Sequence, residues 1–221
     1  FIQKLRRDEK YSLDTETYIR TRLFDMLIGD WDRHVDQWRW AEFDGADGKK
    51  IYKPIPRDRD QAYSIWGDGF LMGLGSKTIP SLRIFEGFGD EIKNLRGFTS
   101  SPRTFALDMA ILSETTLEQW VEQAKYLQQH ITQAVIDESL SHFPKEVQDE
   151  TVEEIKNKLR SRKGHLEETA RAYFGIINKY SVVTGTDKDD YFQITSDMEG
   201  NLEVRAYRIK KGERKDLFFQ K

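Results

Sequence analysis

The chain has 221 residues, enough for one large domain or a domain with an appendage, and a net charge of -3 with 33% charged residues, which argues against a general electrostatic grip on nucleic acid. Cysteine is absent, which excludes disulfides and thiolate metal sites, and no run approaches the ~20 apolar residues of a membrane span. Aromatics at 12% favour a packed core over disorder. A start at Phe1 and a polar-aromatic end, Leu217-Phe218-Phe219-Gln220-Lys221, lead us to expect a piece of a longer protein.

Residues 14 to 28 read as a helix. Asp14 or Thr15 can cap it, Glu16 sits in the first turn, and Ile19, Leu23, Phe24, Leu27 and Ile28 recur on one face before Gly29 stops it. Trp38 to Phe43 and Lys50 to Ile55 alternate like strands about the turn residues Asp44-Gly45-Ala46-Asp47-Gly48, predicting a hairpin over 38–56. Ser64 to Ser101 is glycine-rich and irregular. Helices follow. Pro102 suits a first helical position, and Thr116 with Gln119 forms a capping-box pattern ahead of Leu117, Trp120, Val121, Ala124, Leu127 and Ile131. Thr151 with Glu154 repeats that pattern, and Gly164 either interrupts the next helix or is tolerated within it. From Ser181 the period becomes two, with strands at Val182-Val183, 191–195, 202–209 and 217–219 and turns at Gly185, Glu199-Gly200-Asn201 and Lys211-Gly212.

Chemistry-bearing residues concentrate in two clusters, Gly29 to Trp38 and Tyr52 to Tyr63, and the hairpin between them brings Asp58 and Asp60 near Asp32. Phosphoryl transfer asks for one carboxylate to orient or deprotonate the nucleophile, and for one or two oxygen ligands that hold magnesium against the phosphates. Asp32 suits the first role; Gln37 with Asp58 or Asp60 suits the second.

The stretch Asp32-Arg33-His34-Val35-Asp36-Gln37 resembles the catalytic loop of atypical kinases: the HipA toxin kinases, the spore-coat CotH kinases and the phosphatidylinositol kinases. Their pattern is an Asp, a His two positions on, an Asn about five positions after the Asp, then a hairpin and a metal-binding Asp. The resemblance implies Asp32 as catalytic aspartate, His34 as the structural histidine of the catalytic loop, Arg33 as a cofactor contact and Gln37 at the metal-ligand position. Asp58 or Asp60 would supply the second metal contact, Asp58-Arg59-Asp60 being similar to the Asp-x-Asp of the CotH pattern, and Mg2+ and ATP would be the cofactors. Two departures stand out. Gln37 replaces Asn and carries its oxygen one methylene further, and the 31 residues before Asp32 do not supply a nucleotide-binding lobe, so a phosphotransferase-like site would be incomplete here.

A second resemblance covers most of the chain. The runs Arg22 to His34, Asp36 to Trp40 and Pro54 to Gln61, with the tail motif Gly185-Thr186-Asp187-Lys188, resemble an uncharacterised bacterial envelope family. In that family the region lies between a calcineurin-like metallophosphoesterase domain and a surface-antigen outer-membrane barrel. This implies a periplasmic or outer-membrane-associated location and those domains as partners; it implies no activity.

Plainer readings stand beside these. Asp32, Asp58 and Asp60, interleaved with Arg22, Arg33, Arg39, Arg57 and Arg59, would form a structural salt-bridge knot, and Asp58→Ala would then strand the arginines. His34 would be a packing or hydrogen-bonding residue, and His130, His142 and His165 surface residues. Trp31, Trp38 and Trp40 would be core, with a glycan or peptide face as the lesser reading. Gly67 to Gly75 matches neither the dinucleotide fingerprint nor the P-loop, Asp44 to Gly48 is a turn rather than a calcium loop, and Glu153 to Lys163 is a solvated helix face. The expected fold is α+β: a mainly helical body over 1–180 resembling a kinase C-terminal lobe, a motif-bearing hairpin near its start, and an antiparallel meander over 181–221. The expected function is an atypical kinase-like or phosphate/metal-binding module of a larger envelope protein, against a non-catalytic structural or docking domain.

Overall fold

A computed structural model describes residues 2–8, 10–65, 87–99, 102–179, 183 and 185–220. The run Gly67 to Gly75, most of the glycine-rich stretch after Ser64 and Val182 fall outside them. Among the described residues helix (49%) exceeds strand (22%) in an α+β arrangement, as the change of sequence period predicts. Contacts divide the chain into two units, one of Phe1–Asp14, Trp40–Pro54 and Val182–Lys221, the other of Thr15–Arg39 and Ile55–Ser181. The meander thus groups with the hairpin and the first residues, whereas the sequence pattern groups the hairpin with the helices.

The first unit carries two three-stranded sheets. One has β1 (Tyr11–Leu13), β3 (Lys50–Pro56) and β2 (Trp38–Asp44) in the order β1-β3-β2, with β1 parallel to β3 and Ser12 opposite Ile51. The turn between β2 and β3 closes where Gly45 N–H donates to Lys49 O at 2.8 Å. Strand β1 and the preceding helix α1 (Ile2–Arg7) are too short for a periodic signal and were not expected. The other sheet is the meander β4 (Asp190–Ser196), β5 (Leu202–Lys210) and β6 (Glu213–Gln220), antiparallel in that order. Lys211 and Gly212, both at positive φ (54° and 76°), make its second turn, the geometry that matches strand twist. The tail motif has a structural use: Thr186 Oγ1 and the Asp190 carboxylate both receive the buried Arg208 guanidinium, at 2.7 Å for Asp190, and the Thr186 amide also donates to Asp190.

The second unit is helical: α2 (Thr15–Ile28), α3 (Pro102–Leu112), α4 (Leu117–His130), α5 (Gln133–Ser141), α6 (Glu150–Gly164) and α7 (Leu166–Ile177). Helix α2 lies inside, packed on α3, α4, α6 and α7. Tyr18, Ile19, Leu23 and Met26 of α2 are fully buried, as are Trp120, Leu112, Tyr173 and Ile177 around it. The Thr116–Gln119 capping box forms as the sequence suggests, Thr116 N–H donating to Gln119 Oε1 at 2.9 Å. Two local expectations change. Ile131 ends α4 rather than continuing it, because Thr132 caps α5 through the Val135 amide at 3.3 Å. Asp149, not Thr151, caps α6: its carboxylate accepts from the Thr151 amide at 2.8 Å, and the Thr151 hydroxyl first, then this amide, hold its pKa below the usual carboxylate range. Of the two readings left open for Gly164, the helix does break there: Gly164 is the last residue of α6, and His165 separates it from α7.

The cap assignment is testable. Asp149→Ala should lower the urea midpoint, as loss of an N-cap does, and Thr151→Ala, which removes a hydroxyl but keeps the capping amide, should lower it less. Equal losses at the two positions would restore the sequence-based assignment.

Candidate functional site

Helix α2 ends at Gly29, whose φ of +75° turns the chain out of the helix, and a Cβ there would stand 2.9 Å from Phe88 Cδ2. Glycine is therefore required on both counts. At the helix end Arg162 from α6 donates to Leu27 O at 2.9 Å and to Met26 O at 2.6 Å, the latter shared with the Gly29 amide, and its guanidinium also reaches Gly89 O at 3.1 Å. Arg162 lies in the run expected to be a solvated face, and it is buried; the run's Lys156–Glu153 and Lys158–Glu154 pairs keep the expected surface character.

Beneath the two motif loops sits a buried charge network. Asp25, fully buried on α2, accepts from Arg33 Nε at 2.9 Å and Nη2 at 3.0 Å, from Arg22 Nη1 at 3.4 Å and from Arg59 Nε at 3.3 Å. Arg33 Nη2 also reaches Asp30 at 2.7 Å. Arg22 Nε donates to Asp108 on α3 at 3.0 Å, and the Tyr18 and Tyr173 hydroxyls donate to the same carboxylate at 2.6 Å each. Burial, and then the Asp108 charge, push both tyrosines above the ordinary phenol range. The network balances Asp25, Asp30 and Asp108 against Arg22, Arg33 and Arg59, the condition for burying charge at tolerable cost.

A salt-bridge knot therefore exists, but with other acids than expected. Arg22, Arg33 and Arg59 belong to it, while Arg39 donates to the carbonyls of Asp36 and Trp38. Among the described residues the Asp32, Asp58 and Asp60 carboxylates take part in no ion pair or hydrogen bond; Asp32 is half-buried, Asp58 and Asp60 exposed. Asp25 and Asp108 were missed, although a signal existed: each interrupts an apolar run inside a predicted helix, Phe24-Asp25-Met26 and Leu107-Asp108-Met109, and Arg22 stands one turn before Asp25.

The two loops meet. The Arg57 amide donates to Gln37 O at 2.8 Å, the Arg33 guanidinium donates to Arg57 O, and the Tyr63 amide donates to Ile28 O at 3.0 Å. In the first loop His34 caps the turn Val35–Gln37, its Nδ1 accepting from the Asp36 amide at 3.3 Å, which is the hydrogen-bonding role. Arg33 is wholly inside, its guanidinium committed to Asp25, Asp30 and Arg57, so it positions the loops rather than facing a ligand. Gln37 is 6% exposed, and its side-chain oxygen is buried with no hydrogen-bond partner among the described residues. In the second loop Asp58 and Tyr63 hold φ of +55° and +61°, a conformation non-glycine residues adopt only when their surroundings impose it. Trp38 is core, stacked on Tyr18 at 4.7 Å, while Trp31 and Trp40 are half-buried; His130, His142 and His165 are exposed.

Two outcomes follow from this geometry. Asp108→Ala should lower stability by about 3–5 kcal/mol because it leaves the buried Arg22 Nε and the Tyr18 and Tyr173 hydroxyls without the carboxylate they share, whereas Asp58→Ala should cost no more than about 1 kcal/mol, reversing the sequence-based expectation; thermal melts compare them directly. The second outcome concerns Asp30, whose carboxyl is raised from 3.8 to about 6, first by burial and then by the neighbouring Asp25 charge. It binds its proton more tightly folded than unfolded, so its contribution to stability is complete below 3.8 and is lost as pH rises to about 6. Relative to Asp30→Asn, the parent protein should lose up to about 3 kcal/mol over that interval, read from denaturant midpoints at pH 4 and pH 6.5. A constant difference between the two proteins would remove Asp30 from the account. No family model, curated protein or solved structure matches the chain, so the functional reading rests on this geometry.

Proposed function

We propose that the chain is a kinase-like, phosphate- and magnesium-binding module of a larger bacterial envelope protein. The supporting observation is the meeting of the two acid-bearing loops through the Arg57–Gln37 backbone bond, with Asp32 on one loop and Asp58 and Asp60 on the other. The order helix, loop, hairpin, loop over 15–63 follows the pattern of the atypical kinases that the Asp32 to Gln37 stretch resembles. The donors fit a hard divalent cation: carboxylate oxygens, plus a buried Gln37 carboxamide oxygen whose hydrogen-bonding capacity is otherwise unused. Gln37 with Asp58 or Asp60 would hold Mg2+, which when bound neutralises charge on phosphate oxygens. Asp32, held half-buried by the loop, would orient an acceptor hydroxyl and take its proton. His34 fixes the turn that presents Gln37, and Arg33 ties the second loop to the first. ATP is the proposed phosphoryl donor, with other domains of the larger protein, a phosphoesterase and an outer-membrane barrel, as neighbours.

A second reading, a non-catalytic structural or docking domain, is favoured by one specific finding. Among the described residues no group of three or more Asp, Glu or His side chains stands close enough to hold a metal ion. Among the same residues no helix is long and apolar enough to cross a membrane. Calorimetric titration with Mg2+ and then with ATP separates the two readings. The first expects Mg2+-dependent ATP binding that Asp32→Asn leaves largely intact, with loss of any phosphoryl transfer, and that Asp58→Asn with Asp60→Asn weakens by about 10-fold or more. Absence of any Mg2+- or ATP-dependent heat favours the docking domain.

A further inference from the structure

The two loops are not joined only to each other. Each sends one arginine down to the same buried carboxylate: Arg33 from the first loop with two bonds to Asp25, Arg59 from the second with one at 3.3 Å. Asp25 itself lies on α2, whose fully buried flanks, Leu23 and Met26, fix it in the core. It touches no solvent. We propose that Asp25 is a positioning residue: its carboxylate, gripped by an arginine from each loop, sets the spacing between the Asp32 loop and the Asp58–Asp60 loop.

Three features support this beyond simple packing. The bond from Arg33 to Asp25 is bidentate, which fixes the guanidinium plane as well as its distance, and the remaining Arg33 nitrogen donates to Arg57 O of the opposite loop. Arg22, which also reaches Asp25, is itself anchored by Asp108 and by Phe98 O, so the carboxylate cannot swing toward one loop alone. The second loop meanwhile carries two residues at positive φ, Asp58 and Tyr63, so it is held in a conformation that local preference alone would release. Arg59 is the side chain that crosses from between the two acids Asp58 and Asp60 to Asp25, with 31% of its side chain exposed. As a statement about ligand binding the proposal rests on the phosphate and magnesium reading; as a statement about loop spacing it stands without it.

The test uses Arg59→Gln first, because a part-exposed residue is replaced and the fold is kept, then Arg59→Lys and Asp25→Asn. Amide hydrogen exchange is followed at Arg57 and Tyr63, which report the loop–loop and loop–helix bonds, against amides of α7 as an internal reference. Arg59→Gln should speed exchange at Arg57 and Tyr63 by about 10-fold or more with α7 unchanged, a local opening rather than a global loss of stability. Arg59→Lys, which keeps the charge, should recover part of the protection. Magnesium affinity, read by calorimetry, should fall about 10- to 100-fold in Arg59→Gln, the usual loss when a residue supporting metal ligands is removed. Charge alone predicts the opposite sign, since deleting a cation beside Asp58 and Asp60 would tighten magnesium binding. Parent-like exchange at Arg57 and Tyr63 in both folded Arg59→Gln and folded Asp25→Asn overturns the proposal; an unfolded Asp25→Asn leaves the decision to Arg59→Gln. If the parent protein binds no magnesium, the phosphate and magnesium reading fails, and the exchange rates alone decide the role of Asp25.

Discussion

A carboxylate in a protein interior is tolerable only when opposite charge and hydrogen bonds replace the water it has left, and Asp25 meets that condition with three guanidiniums. Nearly everything else about the second unit is arranged around this point. Helix α2 must be central because it carries the acid; α3 must pack beside it because Asp108 holds Arg22 in place. The turn after α2 must be tight because Asp30 and Arg33 have to return to the same spot. Dispersion and apolar burial around Trp120, Tyr173 and Leu112 supply the favourable bulk of folding, but they do not specify where the loops go. The charge network does.

The first motif cluster is consequently two sets of residues interleaved in one stretch. Asp30 and Arg33 point inward and serve architecture; Asp32 and Asp36 lie nearer solvent, and Gln37 is buried with its oxygen unanswered. The second cluster divides in the same way, Arg59 inward and Asp58 and Asp60 outward. A structural account and a chemical account of these motifs are therefore not exclusive. The inward set explains why so many charges can be gathered in a small volume, and the outward set is what remains for a ligand.

Much of the architecture was legible in the chain itself. The α2 helix, the hairpin, the Thr116 capping box and the meander followed from periodicity and turn chemistry, because each is specified by neighbours a few residues apart. What escaped was non-local. Whether Thr132 would open a new helix depends on its side chain reaching the Val135 amide, which competes with an apolar period that runs on through Ile131. Proximity in sequence finds only part of the knot: Arg22 meets Asp25 and Arg33 meets Asp30 three positions away, but Arg22 also pairs with Asp108, 86 positions on. The charged residues are clustered as the sequence suggests, and the partners it does not reveal are the distant ones, Asp108 for Arg22 and Asp25 for Arg59.

The grip of Arg162 on the end of α2 has an electrostatic consequence. A helix carries partial negative charge at its C-terminus, and here three acids, Asp30, Asp32 and Asp36, follow within eight residues of Ile28. Left alone, that end would repel the very residues the sequence places there. The guanidinium on the carbonyls of Met26 and Leu27 cancels the repulsion at its source, from a helix more than a hundred positions downstream. A lysine could not replace it, since a single ammonium lacks the planar fork that meets two successive carbonyls and Gly89 together. Position 162 thus sets the local potential at the end of α2, from which the first loop departs, without lying in that loop.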